Sequence, residues 1–128
     1  NTILALQFEN LVINNSRKIF ELLSIRAEDV ILSGPYFQRK TVRHEGCQID
    51  YMIQTKQDIV YICEIKFKRN EISIDILSEV QDKIQRLKLP KYVSRRPVLI
   101  HVNGVKDEVE SLGYFDKIID FGDFLKNQ

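Results

Sequence analysis

The chain has 128 residues, 44% hydrophobic and 29% charged, which suits one compact domain and is short for two. Nineteen Lys and Arg against 18 Asp and Glu leave a formal charge of +1, so bulk charge announces neither a nucleic-acid binder nor a membrane-surface protein, and any such partner must be read from local clusters. Five Gly and three Pro exclude collagen-like or low-complexity character, and apolar runs such as Ile3 to Leu6 and Val98 to Ile100 fall far below the roughly 18 residues of a membrane span.

In the first segment Leu4, Phe8, Leu11, Val12, Asn15, Ile19, Leu22 and Leu23 recur at steps of three and four, which predicts one amphipathic helix over Ile3 to Leu23. Glu9 borders that apolar stripe beside Phe8 and is a carboxylate of interest. Asp29 to Ser33 is an apolar run stopped by Gly34-Pro35, and Tyr36 to Arg43 resumes in a strand-like mixture, so one or two strands are expected here. Gln48 to Thr55 and Ile59 to Phe67 are rich in Ile, Val and Tyr and predict an antiparallel hairpin around Lys56-Gln57-Asp58. Ser73 is the expected N-cap of a second helix, Ser73 to Lys88, whose stripe is Ile74, Leu77, Val80, Ile84 and Leu87. Pro97 to Val102 reads as a strand covered on both faces and closed by Asn103-Gly104; a short helix over Lys106 to Leu112 and a strand over Lys117 to Phe121 follow. The order predicts an α/β domain with a mixed central sheet flanked by helices, as a single domain over 1–128.

Cys47 and Cys63 lack metal spacing and a disulfide framework, which suits a reducing cytoplasm. No secretory signal is visible, and the chain starts at Asn1 instead of Met, as expected of one end of a longer protein.

Chemistry concentrates on the hairpin. With a loop at 56–58, Thr55 faces Ile59 and Asp50 faces Glu64, two like charges that require a proton or a cation between them. Lys66 shares the Glu64 face because strand side chains alternate, whereas a two-residue loop would move Asp50 to the other face. Two carboxylates and a lysine suit phosphodiester hydrolysis: hard oxygens hold Mg²⁺ or Mn²⁺, and the ammonium orients water or stabilises developing charge. Glu9 and the Ile65 backbone carbonyl are further candidate ligands.

Asp50 within Gly46-Cys47-Gln48-Ile49-Asp50-Tyr51, Glu64-Ile65-Lys66 within Cys63 to Phe67, and the Phe8-Glu9 pair resemble the PD-(D/E)xK nuclease superfamily. More narrowly, they are similar to the nuclease-type domain at the C-terminus of certain prokaryotic AAA-type ATPases. The resemblance implies a restriction-endonuclease-like core of helix, three strands, helix and strand. It further implies metal binding by Asp50 and Glu64, catalysis by Lys66 and assistance from Glu9. Ile49 stands where the superfamily name has Pro, and no phosphate-loop motif occurs in the chain, so an ATPase part is expected upstream.

Lys83, Arg86, Lys88, Lys91, Arg95 and Arg96 follow one another without an intervening acid, whereas Gly104 to Gln128 is acidic. With Lys66, Lys68 and Arg69 the basic segment is a candidate track for a nucleic-acid backbone, a role also assigned to Gln81. His101 reads as the end of a buried strand and His44 as a loop residue near phosphate. The expected function is a metal-dependent DNA endonuclease-like domain, with a homodimer among the expected assemblies. The alternative is a catalytically silent module of the same fold that binds DNA or a protein partner, or an α/β domain whose charged strand face is an oligomer interface.

Overall fold

The computed structural model describes residues 2–122. The end of the acidic segment, 123–128, lies outside the described residues, as does the start at Asn1. Two helices, α1 (Thr2–Ile13) and α2 (Ser16–Leu22), and a 3₁₀ turn (Ala27–Asp29) lead into β1 (Val30–Gln38), β2 (Cys47–Thr55) and β3 (Ile59–Phe67). Helix α3 (Asp75–Arg86), β4 (Ser94–Val102), α4 (Asp107–Ser111) and β5 (Lys117–Asp120) complete the described fold. The strands form one sheet in the order β1-β2-β3-β4-β5, antiparallel from β1 to β3 and parallel from β3 to β5. Among the described residues no helix is long and apolar enough to cross a membrane.

The expected hairpin register is the one observed: the β2–β3 ladder runs from Thr55↔Ile59 to Tyr51↔Cys63. Alternation along β3 then decides what each face meets. Tyr61, Cys63 and Ile65 pack with Phe8 and Val12 of α1 and Ile19 of α2. Val60 and Ile62 point the other way, into a cluster with Leu87 and the half-buried Ile84. The inner strand β4 is covered on both sides, and Val98, Leu99, Ile100 and His101 are all buried, as its unbroken apolar run predicts.

Three expectations change. The first helix is two helices, because the Asn15 side chain donates to the Leu11 carbonyl at 2.7 Å while the Asn15 backbone N–H shifts to Val12 at 3.0 Å. Asparagine competes with the helix for backbone partners, and here it ends α1. The candidate cap Ser73 makes no side-chain cap for α3, whose entry is closed by backbone bonds from Ile76 and Leu77 to the Ser73 and Ile74 carbonyls. The Gly34-Pro35 turn signal does not stop the strand: β1 runs through it as an irregularity between Gly34 and Tyr36. Proline is tolerated because β1 is an edge strand that needs no N–H donor on its open side.

Candidate metal centre

The β2–β3 ladder ends at Tyr51↔Cys63, and Asp50 stands one residue beyond it. From there the Asp50 carboxylate continues the connection in place of the backbone: Oδ2 accepts the Ile65 N–H at 2.8 Å. Glu64 lies beside it with only 3% of its surface exposed. The notch where the two strands part therefore holds the two carboxylates that the hairpin register places opposite each other.

Both charged residues of β3 on this face are met from α3. Lys83 Nζ donates to Glu64 Oε1 at 2.6 Å and Oε2 at 2.9 Å, and Lys66 Nζ donates to Glu79 Oε1 at 2.7 Å. Geometry explains the pairing. Four residues of helix rise about 6 Å and two residues of strand about 6.6 Å, so a helix running against the strand meets both positions in register. The same turn of α3 carries Val80 into the core, which fixes the rotation that presents Glu79 and Lys83 to the sheet.

The electrostatics follow from crowding. Burial, then the Asp50 charge, pushes the Glu64 carboxyl above the usual range; the hydrogen bond and charge of Lys83, with Lys66 beyond, act against the rise. Pairing with Lys83 alone would lower Glu64, but desolvation and the neighbouring carboxylate outweigh it. Burial opposes the charge on Lys83 as well, yet the bond and charge of Glu64, joined by Asp50 and Glu79, hold that ammonium above its ordinary pKa. Glu9 on α1 is raised first by partial burial and then by Asp50, against the charges of Lys83 and Lys66. Three carboxylates and two ammonium groups thus sense one another from four elements, α1, β2, β3 and α3. Phe8 brings α1 to the sheet: its ring lies 5.5 Å from that of Phe67, centroid to centroid.

Among the described residues no three His, Cys, Asp or Glu groups converge closely enough to cage a metal ion. The donor chemistry still fits Mg²⁺ or Mn²⁺. Magnesium keeps several waters and takes one or two carboxylates plus substrate phosphate in place of a full protein cage, and the clustered negative charge at Asp50 and Glu64 is compensated here by lysine.

The remaining candidates are dispersed. Lys68 and Arg69 are exposed just after β3, beside a cleft of about 370 Å³ that Leu4 and Phe67 also line. Gln81 and Arg86 lie exposed on α3. Ile65 gives its N–H to Asp50. Arg95 and Arg96 are drawn out of the basic track: Arg95 donates to the Val93 and Leu89 carbonyls, and Arg96 sits 5.8 Å over the Tyr61 ring. His101 is buried at 4% exposure, with Nδ1 accepting the Gly104 N–H at 3.3 Å. Two relationships were not legible beforehand: the Lys83–Glu64 pair and the role of Gln38. The flank of the Ile76, Val80 and Ile84 stripe would have placed Lys83 at the sheet.

No family model matches the chain, and no curated protein matches it. Among solved structures it is similar to a repair endonuclease from Pyrococcus abyssi, with a TM-score of 0.52 and 20% identity. The match covers 87% of this chain and 43% of that one, so the chain spans less than half the length of the endonuclease. The likeness is one of fold: a restriction-endonuclease-like core with its mixed five-stranded sheet between helices.

Proposed function

We propose that this domain is a metal-dependent deoxyribonuclease of the PD-(D/E)xK type, with Asp50 and Glu64 as metal ligands and Lys66 as the catalytic lysine. The observation that carries the reading is the notch at the end of the β2–β3 ladder, where Asp50 bonds the Ile65 N–H and a buried Glu64 stands beside it, within an endonuclease fold. A bound Mg²⁺ or Mn²⁺ would supply Lewis-acid polarisation of the scissile phosphate and a water of lowered pKa. Lys66 is free to serve. Its contact with Glu79 lies at the surface, with 23% and 46% of the two side chains exposed, and such pairs contribute at most about 1 kcal/mol. Released from Glu79, its ammonium orients the attacking water and meets the negative charge that develops on phosphate. Glu9 accepts hydrogen bonds from water on the α1 side of the notch. Ile65 adds its backbone carbonyl as a further ligand.

Incubating linear duplex DNA with Mn²⁺ tests this directly. Lys66→Ala should reduce cleavage by about 100-fold or more with the fold intact. Cleavage undiminished in that variant would sink the assignment.

A second reading is favoured by one contact. Lys83 engages both oxygens of Glu64, as expected if an internal cation replaces the metal in a silent module that keeps the fold to bind DNA or a protein. Calorimetric titration with Mn²⁺ separates the two, because only a working site shows heat that Asp50→Asn removes. The motif likeness supports attachment to an upstream AAA-type ATPase, the two buried free thiols suit a cytoplasmic setting, and pairing of two copies to cut both strands belongs to the same proposal.

A further inference from the structure

The loop joining β1 to β2 carries Arg39, Lys40, Arg43 and His44 against one acid, Glu45. With Lys88 beyond the end of α3 it encloses a groove of about 520 Å³, lined by Arg39, Arg43, His44, Lys88, Tyr36 and Val42 among others. We propose that this groove is a second nucleic-acid contact, which holds the phosphodiester backbone of duplex DNA to one side of the notch. The inference rests on the nuclease reading for the identity of the polyanion, and on its own geometry for the place.

Position supports it. β1 ends and β2 begins at this loop, with Gln38 paired to Cys47 and Tyr36 paired to Ile49, the residue before Asp50. The loop therefore springs from the same end of the sheet as the carboxylates. Helix α3 leads from one to the other, since Lys83 meets Glu64, Arg86 lies a turn further on, and Lys88 lines the groove. A backbone that follows α3 away from Glu64 arrives at Arg39 and Arg43.

The loop is also held in shape before any ligand arrives. The buried Gln38 amide donates to the Glu45 carbonyl at 2.8 Å and the Arg86 carbonyl at 2.6 Å, and its oxygen accepts the Lys88 N–H at 2.8 Å. One side chain thus ties both ends of the loop to the end of α3. At the tip the Thr41 N–H donates to the His44 carbonyl and Thr41 Oγ1 accepts the His44 N–H. At Gly46 a Cβ would meet the Gln38 carbonyl oxygen at 3.1 Å and the Lys40 nitrogen at 3.2 Å, so the absent side chain lets the two ends of the loop lie against each other.

The cations, in contrast, are unspent. Arg39, Arg43 and Lys88 are exposed and enter no ion pair among the described residues. Exposed cations on a rigid frame lose little freedom on meeting phosphate. Val42, fully exposed at the tip, places an apolar surface beside them that suits the sugar edges of a groove.

Fluorescence anisotropy with a 20-base-pair duplex in EDTA, over a series of salt concentrations, tests the site without cleavage. Each phosphate neutralised on a duplex adds about 0.9 to the slope of log affinity against log salt. Arg39→Ala with Arg43→Ala should lower that slope by about 2 and weaken binding by roughly 10- to 100-fold near 0.1 M salt. Lys117→Ala, on the far edge strand, should change neither. An unaltered slope in the double variant would overturn the groove and leave the nuclease reading standing. A reduced slope in a protein that never cleaves DNA would uphold the groove and overturn the nuclease. Binding of polyglutamate with no binding of DNA would overturn the groove as a nucleic-acid site.

Discussion

The Lys83 ammonium lies 2.6 Å from one oxygen of Glu64 and 2.9 Å from the other, joining α3 to the innermost carboxylate of the sheet. Glu64 is almost wholly buried while Lys83 keeps 27% of its side chain exposed, so the pair is a buried acid neutralised from the rim. Desolvation makes such pairs weak sources of stability when complete and costly when halved.

Lys83→Met should therefore destabilise the fold by about 3 kcal/mol at neutral pH, the low end for a broken buried pair because the lysine is partly exposed. The pH dependence has a definite sign. Glu64 is raised above its usual value, and removing Lys83 takes away an influence that lowers it, so the variant binds its proton more tightly when folded. Its stability should be greatest in mild acid and fall as pH rises through the folded pKa of Glu64. Urea midpoints measured from pH 5 to 8 check this; a variant equally destabilised throughout would show that charge is not the cause.

In the native protein the ammonium of Lys83 is held above its ordinary pKa of 10.5. Stability from that shift is fully present below the unfolded value and is lost as pH rises through the folded one. Thermal unfolding between pH 9 and 12 should show a loss in the native protein that is reduced in Lys83→Met.

Asp50 has a structural task separable from metal binding, since it accepts the Ile65 N–H at 2.8 Å. Asp50→Ala strands that donor and should cost about 1 to 3 kcal/mol. Asp50→Asn keeps an acceptor oxygen, so its urea midpoint should stay near that of the native protein while its response to Mn²⁺ disappears.

Metal binding should itself stabilise the fold. At 100 times its Kd, a ligand that binds only the native state contributes about 2.7 kcal/mol, and Mn²⁺ should raise the unfolding temperature accordingly. Lys83→Met should retain this response, because the metal then supplies the cation that Glu64 lacks. A response lost in that variant would assign Lys83 to holding the carboxylate in place for the metal.

Gln38→Leu removes three hydrogen bonds, two that join β1 to the end of α3 and one that ties it to Glu45 at the far end of the loop. It leaves the Arg86 and Glu45 carbonyls and the Lys88 N–H to find water, and the expected cost is about 2 to 3 kcal/mol. The same substitution should free the loop and weaken duplex binding while leaving the Mn²⁺ response unchanged.

Much of this is legible in the sequence, and the reasons are local. The loop at Lys56 to Asp58, between two strands rich in Ile, Val and Tyr, set the register of the hairpin. Alternation then placed Glu64 and Lys66 on one face. The unbroken run from Pro97 to Val102 announced the covered strand.

What stayed hidden depended on contacts between residues distant in sequence. Asn15 looked like a member of an apolar stripe until its side chain took the Leu11 carbonyl. Gly34-Pro35 looked like a stop because the open edge of β1 cannot be known from β1 alone. Lys83 reads in the sequence as a surface charge for nucleic acid, and Gln38 carries no local signal at all. Their partners lie 19 and up to 50 residues away. Periodicities of two and 3.6 residues act over short stretches of chain, and they suffice to specify a mixed α/β domain with a carboxylate pair beside a lysine. Which cation meets Glu64, and where the unpaired cations gather, depends on the rotation of α3 on the sheet, and that rotation is set by packing Val80 and Ile84 against strands far away in the chain.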